Sequence, residues 1–96
     1  LLRRNEYLQR IEREKRLVLR YIKDNRLEFS RIEETVPETA RIVFLQWIAQ
    51  ANMNSEKKGR TEFGQEFRLV NTGETCVLKC EDGDLRMPAY ILEFDL

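Results

Sequence analysis

Val36-Pro37-Glu38-Thr39-Ala40-Arg41-Ile42-Val43-Phe44-Leu45-Gln46-Trp47-Ile48-Ala49-Gln50-Ala51-Asn52 is the stretch on which the fold turns. Thr35 and Glu38 have the S/T-x-x-E spacing of a helix start. Pro37 suits a first helical turn, where its missing N–H is not needed. The run predicts a helix from about 37 to 52. It is apolar nearly all round, which marks a helix enclosed by other elements rather than one lying on a surface.

Upstream, residues 1 to 25 contain no Gly or Pro. Leu1, Leu8, Ile11, Val18 and Ile22 follow steps of seven, three and four, with Arg4 and Lys15 interrupting, so the seam is helical but narrow. The apolar content thickens from Leu17. This predicts the domain's first helix at about 13–24, with residues 1–12 as the end of an incoming helix. Leu27-Glu28-Phe29 reads as short and extended. Ser30 and Glu33 form a capping box that predicts a second, short helix at about 31–35. The chain opens on Leu1 and is charged at once (Arg3, Arg4, Glu6), which is neither a signal nor a transit peptide and reads as a cut end of a longer chain.

Downstream, residues 52–60 read as a polar loop. The period then changes to two. Phe67 to Val70 leads into a turn at Asn71-Thr72-Gly73-Glu74, and Thr75 to Cys80 is a second strand. Asp82-Gly83 is a two-residue hairpin signal. Leu85 to Met87 resumes the chain, Pro88 marks an edge or bulge, and Ala89 to Phe94 is a last strand. The expected architecture is an α+β domain over residues 13–96, a winged helix: three helices followed by a small antiparallel β-meander.

The 96 residues allow one domain, and no run of about 18 apolar residues is present to span a bilayer. Charge is balanced overall but unevenly placed. Residues 1–35 carry ten bases and seven acids, 36–60 four and two, and 61–96 three and eight. A basic helical half and an acidic C-terminal half do not make a strong nucleic-acid binder, and the asymmetry serves as easily to orient a protein partner. Cys76 and Cys80 are four positions apart, roughly 13 Å along a strand, beyond disulfide reach. They read as half-buried thiols of a reducing compartment, which places the chain in the cytoplasm.

Histidine is absent, which removes Ser-His, Cys-His and His-metal chemistry. No phosphate-cradling glycine motif occurs, and the scattered glycines read as turn residues. Glu81, Asp82 and Asp84 form an acidic turn without the spacing of a calcium loop. The expectation is a chain that is not an enzyme, with no catalytic, cofactor-binding or metal-ligating residues. Lys57, Lys58 and Arg60 make a basic loop suited to phosphate contact or to plain solvation.

In a DNA reader, the helix over 37–52 would present basic and amide side chains to base edges. Here Arg41 is its single base, and Glu38 would face phosphate repulsively. Phe44 and Trp47 widen the apolar stripe beyond one face. Two readings stand side by side: both rings are core, or, with Arg41 and behind the exposed side chains of the β-meander as the first candidates, they dock a protein partner. Three functions follow. The first is protein docking. The alternative is a DNA-binding domain of a transcription regulator, with Arg41, Lys57, Lys58 and Arg60 on phosphates. The third is self-association through the first helix.

Val36-Pro37-Glu38-Thr39-Ala40-Arg41 with Phe44 to Ala51, the segment Arg60 to Leu69, and Cys80-Glu81-Asp82-Gly83-Asp84-Leu85-Arg86-Met87-Pro88 carry a family resemblance. Over roughly residues 13–96 the chain resembles the C-terminal region of the kleisin-like, MukF-related JetA subunits of Wadjet. Wadjet systems are SMC-type plasmid-defence condensins related to MukBEF. The resemblance implies a C-terminal winged-helix domain of a bacterial kleisin. Such a domain caps an SMC ATPase head, hydrolyses nothing itself, needs no cofactor, and meets DNA indirectly on the nucleoid.

Overall fold

The computed structural model describes residues 2–95 and, within the first helix, the side chains of Glu6, Leu8, Gln9, Glu12, Arg13 and those from Lys15 on. The seam positions Leu1 and Ile11 and the interrupting Arg4 lie outside the described side chains. Helix α1 spans Leu2–Leu19. Its end tightens into three-residue steps, Tyr21 N–H to the Val18 carbonyl and Ile22 N–H to that of Leu19. Asp24 and Asn25 then take positive φ (53° and 61°) inside a reciprocal Lys23–Arg26 backbone pair, the geometry of a two-residue reversal. The helix thus ends short of the expected Asp24, because the chain must turn to place strand β1, Arg26–Glu28.

The expected second helix does not form. Phe29–Arg31 makes one 3-10 turn, and Ile32 is already extended (φ −79°, ψ 109°). Two causes act together. Pro37 drives Val36 away from helical backbone. Val36 also pairs in parallel with Cys80, its N–H reaching the Lys79 carbonyl at 2.7 Å while its carbonyl receives Glu81 N–H. That pairing takes the backbone groups a helix would use.

Helix α2, Glu38–Asn52, lies where the sequence places it. Its N-cap is Pro37, which offers no side-chain cap; the Glu81 carboxylate accepts the Glu38 N–H instead, at 3.3 Å. Strand β2, Lys58–Arg60, falls inside the expected loop. Strand β3 runs unbroken over Glu66–Leu78, so the turn expected at 71–74 is a bulge within a strand. There the register with β4 shifts between Asn71 and Thr75, with Gly73 at φ 87°. The Asp82-Gly83 turn leads into β4, Leu85–Phe94. Pro88 sits inside β4 opposite Thr75 of β3, beside the register shift and outside the stretch Ile91 to Glu93 that β1 covers.

The strands form one antiparallel sheet in the order β1-β4-β3-β2. The winged-helix expectation is corrected on this point: the described chain has two α-helices and a four-stranded sheet, not three helices followed by a β-meander. The strand leaving α1 crosses to the far edge and pairs with the last strand. Burial along β4 changes phase on the way. Leu92 and Phe94 are buried, then Ala89 and Met87, so the slip at Tyr90–Ile91 faces the register shift of β3.

The core lies between α2 and the sheet. Trp47 stands within 5.9–6.4 Å, centroid to centroid, of Phe67, Phe63, Phe94 and Phe44. Phe44 meets Tyr21 and Phe29 edge-on at 5.4 Å each. These edge-to-face contacts add to the burial of large apolar area. No described helix is long and apolar enough to cross a membrane.

Candidate protein-docking face on the second helix

An α-helix returns a residue to the same face every three or four positions. Ala40, Val43, Phe44, Trp47, Ile48 and Ala51 point inward and are buried. Phe44 and Trp47 are each 1 % exposed, so the structure settles the two readings of these rings in favour of core. The Trp47 indole N–H is satisfied by a Glu62 carboxylate oxygen at 3.2 Å.

The opposite face carries a second apolar stripe. Ile42 (43 % exposed), Leu45 (37 %) and Met53 (89 %) project outward, with Ala49 between them. Gln46 flanks the stripe. The stretch 42–55 holds no charged residue, in a chain of which 35 % is charged. The exposed members of that run are apolar (Ile42, Leu45, Ala49, Met53) or neutral amide and hydroxyl side chains, which makes this face a candidate for docking. Sequence reading missed these residues. Their spacing was visible, but on a helix apolar all round nothing local says which stripe meets the core.

Arg41, Lys57, Lys58 and Arg60 are each engaged within the chain. Arg41 pairs with Asp82 at 2.7 Å, so the acidic hairpin turn is a clamp on the start of α2. Lys57 donates to the Asn52 side chain, Lys58 pairs with Glu56, and Arg60 pairs with Glu66. Arg60 also gives its backbone N–H to the Gln50 side-chain oxygen at 2.6 Å. The loop cations and Arg41 lie at opposite ends of α2 and do not form one patch.

Among the described residues no three or more Cys, Asp or Glu are grouped to hold a metal. Cys76 and Cys80 are free thiols, the second buried. Burial pushes both thiols above their ordinary pKa, so at neutral pH they stay protonated and are poor nucleophiles. Burial likewise raises the Tyr21 phenol, whose oxygen is enclosed without a partner.

No curated protein and no solved structure matches the chain. Residues 2–91 match the family model of DUF2397, described as a protein of unknown function. The chain therefore belongs to the DUF2397 family.

Proposed function

We propose that this chain is a non-catalytic docking module of a kleisin-like subunit, seated on the SMC-type ATPase head of a cytoplasmic, nucleoid-associated plasmid-defence condensin. The observation that carries the docking part is the uncharged outward stripe of α2, Ile42, Leu45, Ala49 and Met53. The choice of partner comes from the resemblance of residues 36–51, 60–69 and 80–88 to JetA subunits. The nucleotide site belongs to the partner, and this domain supplies shape and apolar area.

The DNA-binding alternative has fewer donors to draw on. Arg41, Lys57, Lys58 and Arg60 already have partners in the chain, and phosphate contact would require breaking those pairs. Titration of the folded chain against a cognate SMC head, with labelled duplex DNA in parallel, separates the two readings. The expected result is head binding that Met53→Glu weakens at least about tenfold, since a charge would be buried in the contact. Absence of head binding at tens of micromolar, or tight DNA binding that falls steeply with salt, would replace this reading.

A further inference from the structure

We infer that the open edge of β3 over residues 75–78 is a slot for an extended segment of a partner protein, which joins the sheet there as an added antiparallel strand. This edge is separate from the outward face of α2, and the inference does not depend on the reading of that face.

β2 covers β3 only at residues 66–68, whereas β4 follows it to Leu78. At one end of the uncovered edge the Lys57 carbonyl accepts the Leu69 N–H at 2.7 Å. At the other end the Val36 N–H bonds the Lys79 carbonyl, also at 2.7 Å. Backbone groups along a strand point alternately to its two edges. Counting by twos from Leu69 or back from Lys79 puts the N–H and C=O groups of Thr75 and Val77 on this edge. Pro88, with no N–H to give, stands opposite Thr75, in agreement. The bulge beside them closes itself. The Asn71 side-chain oxygen accepts the Gly73 N–H at 2.9 Å, and the Thr72 hydroxyl accepts the Glu74 N–H at 3.4 Å. Among the described residues, no strand or bridge pairs with Thr75 or Val77 on this edge.

Proteins guard open strand edges with charge, proline or bulges. The other edges here are guarded: β1 by Arg26 and Glu28, β2 by Lys58 and Arg60, and the part of β4 beyond β1 by Arg86 and Pro88. Thr75-Cys76-Val77-Leu78 holds neither charge nor proline, and Val77 is 54 % exposed. Such an edge takes a guest strand through main-chain hydrogen bonds, with alternate side chains giving selectivity. A second copy's β3 does not fit. It is 13 residues long and would run into β2 and Val36 at the ends of the gap, so the guest is a short segment. Glu74 and Lys79 stand exposed at the two ends of the slot, with no ion-pair partner among the described residues. They select a guest with a β-branched middle, an acid at the Lys79 end and a base at the Glu74 end. Antiparallel pairing is the more stable kind and the one β2 makes on this edge, so the acid is N-terminal in the guest.

The probe is an end-capped synthetic peptide of about eight residues with that pattern, long enough to cross the slot. Amide hydrogen exchange of the 96-residue chain reads the result. In the free chain the Thr75 and Val77 amides should exchange at least about tenfold faster than those of Cys76 and Leu78, which face β4. A guest this short binds weakly, with a dissociation constant on the order of 10⁻⁴ M, so about 1 mM peptide should slow both amides about tenfold. Methylating the peptide nitrogens that face β3 should weaken binding at least about tenfold, and methylating those on its other edge should not. Val77→Pro removes an N–H from the slot and none from the pairing with β4; it should also weaken binding at least about tenfold, with the fold checked by circular dichroism. Lys79→Glu should weaken it about threefold. Met53→Glu, on α2, should leave it unchanged. Thr75 and Val77 amides as slow as their neighbours in the free chain overturn the inference. So do absence of binding at about 1 mM, binding indifferent to which nitrogens are methylated, and loss of binding in Met53→Glu. Protection of the free chain that grows with its own concentration would assign the edge to a second copy and overturn it as well.

Discussion

Gly59→Ala is the substitution that most directly tests how α2 is seated on the sheet. Gly59 has an ordinary backbone conformation, so it is not there to relieve strain. A Cβ added to it would lie 2.4 Å from the Gln50 side-chain oxygen and 2.5 Å from Cζ of Phe67. Neither neighbour can yield freely. Gln50 is held by the Arg60 N–H, and the Phe67 ring is 2 % exposed and packed at a tilt against Trp47 and Phe94. Overpacking of this kind costs about 1–3 kcal/mol, and displacing Gln50 forfeits roughly 1 kcal/mol of hydrogen bonding. Losing glycine's unfolded-state freedom returns about 0.4–1 kcal/mol. The net expectation is a destabilisation of about 2 kcal/mol, or a fall in Tm of roughly 10 °C for a domain of this size. Urea unfolding followed by the fluorescence of Trp47, the single tryptophan, reads it directly. Gly73→Ala is the control: nothing lies within 4 Å of its Cβ, and only its φ of 87° opposes the change, at about 1 kcal/mol. A Gly59→Ala chain within 0.5 kcal/mol of the parent, by this same measure, would refute the close approach of β2 to Gln50 and Phe67.

Glu81→Ala should cost about 0.5–1 kcal/mol and lower the helical signal, because α2 has no cap of its own; Glu81→Gln, which keeps an acceptor, should cost less. Equal effects of the two would show that Glu81 acts otherwise. Alkaline pH should destabilise the fold. Burial raises Cys76, Cys80 and Tyr21, so once pH passes their ordinary values the unfolded chain holds fewer protons than the folded one. Stability is then full below those values and is lost as pH rises through the folded ones. Urea midpoints that stay flat through the alkaline range would contradict this, as would rapid labelling of Cys80 by a thiol reagent at neutral pH.

Much of the local structure was legible. The apolar run to Asn52 marks α2 and Asp82-Gly83 marks the β3–β4 turn, because both signals act within a few residues; the capping box expected of Thr35 and Glu38 does not form, since Pro37 is the N-cap and Glu81 takes the Glu38 N–H. The helix expected at 31–35 shows the limit. Ser30 and Glu33 have the spacing of a capping box, yet Val36 is claimed by Lys79 and Glu81, more than forty residues away. The turn expected at 71–74 fails for a similar reason: pairing with β4 carries β3 straight through Gly73 as a bulge. The candidate site was legible as composition and illegible as orientation. Ile42, Leu45, Ala49 and Met53 repeat as regularly as Val43, Phe44, Trp47 and Ile48 do.

By itself, then, the sequence determined the long apolar helix, the two-residue period after it, and the absence of histidine-based chemistry. Each is a property of residue type and near spacing. Only the tertiary structure decided which stripe of α2 is core, that β1 crosses to pair with β4, and that Arg41 is spent on Asp82. Those outcomes depend on which distant groups compete for the same backbone bond or the same buried volume, and that competition has no local signature in the chain.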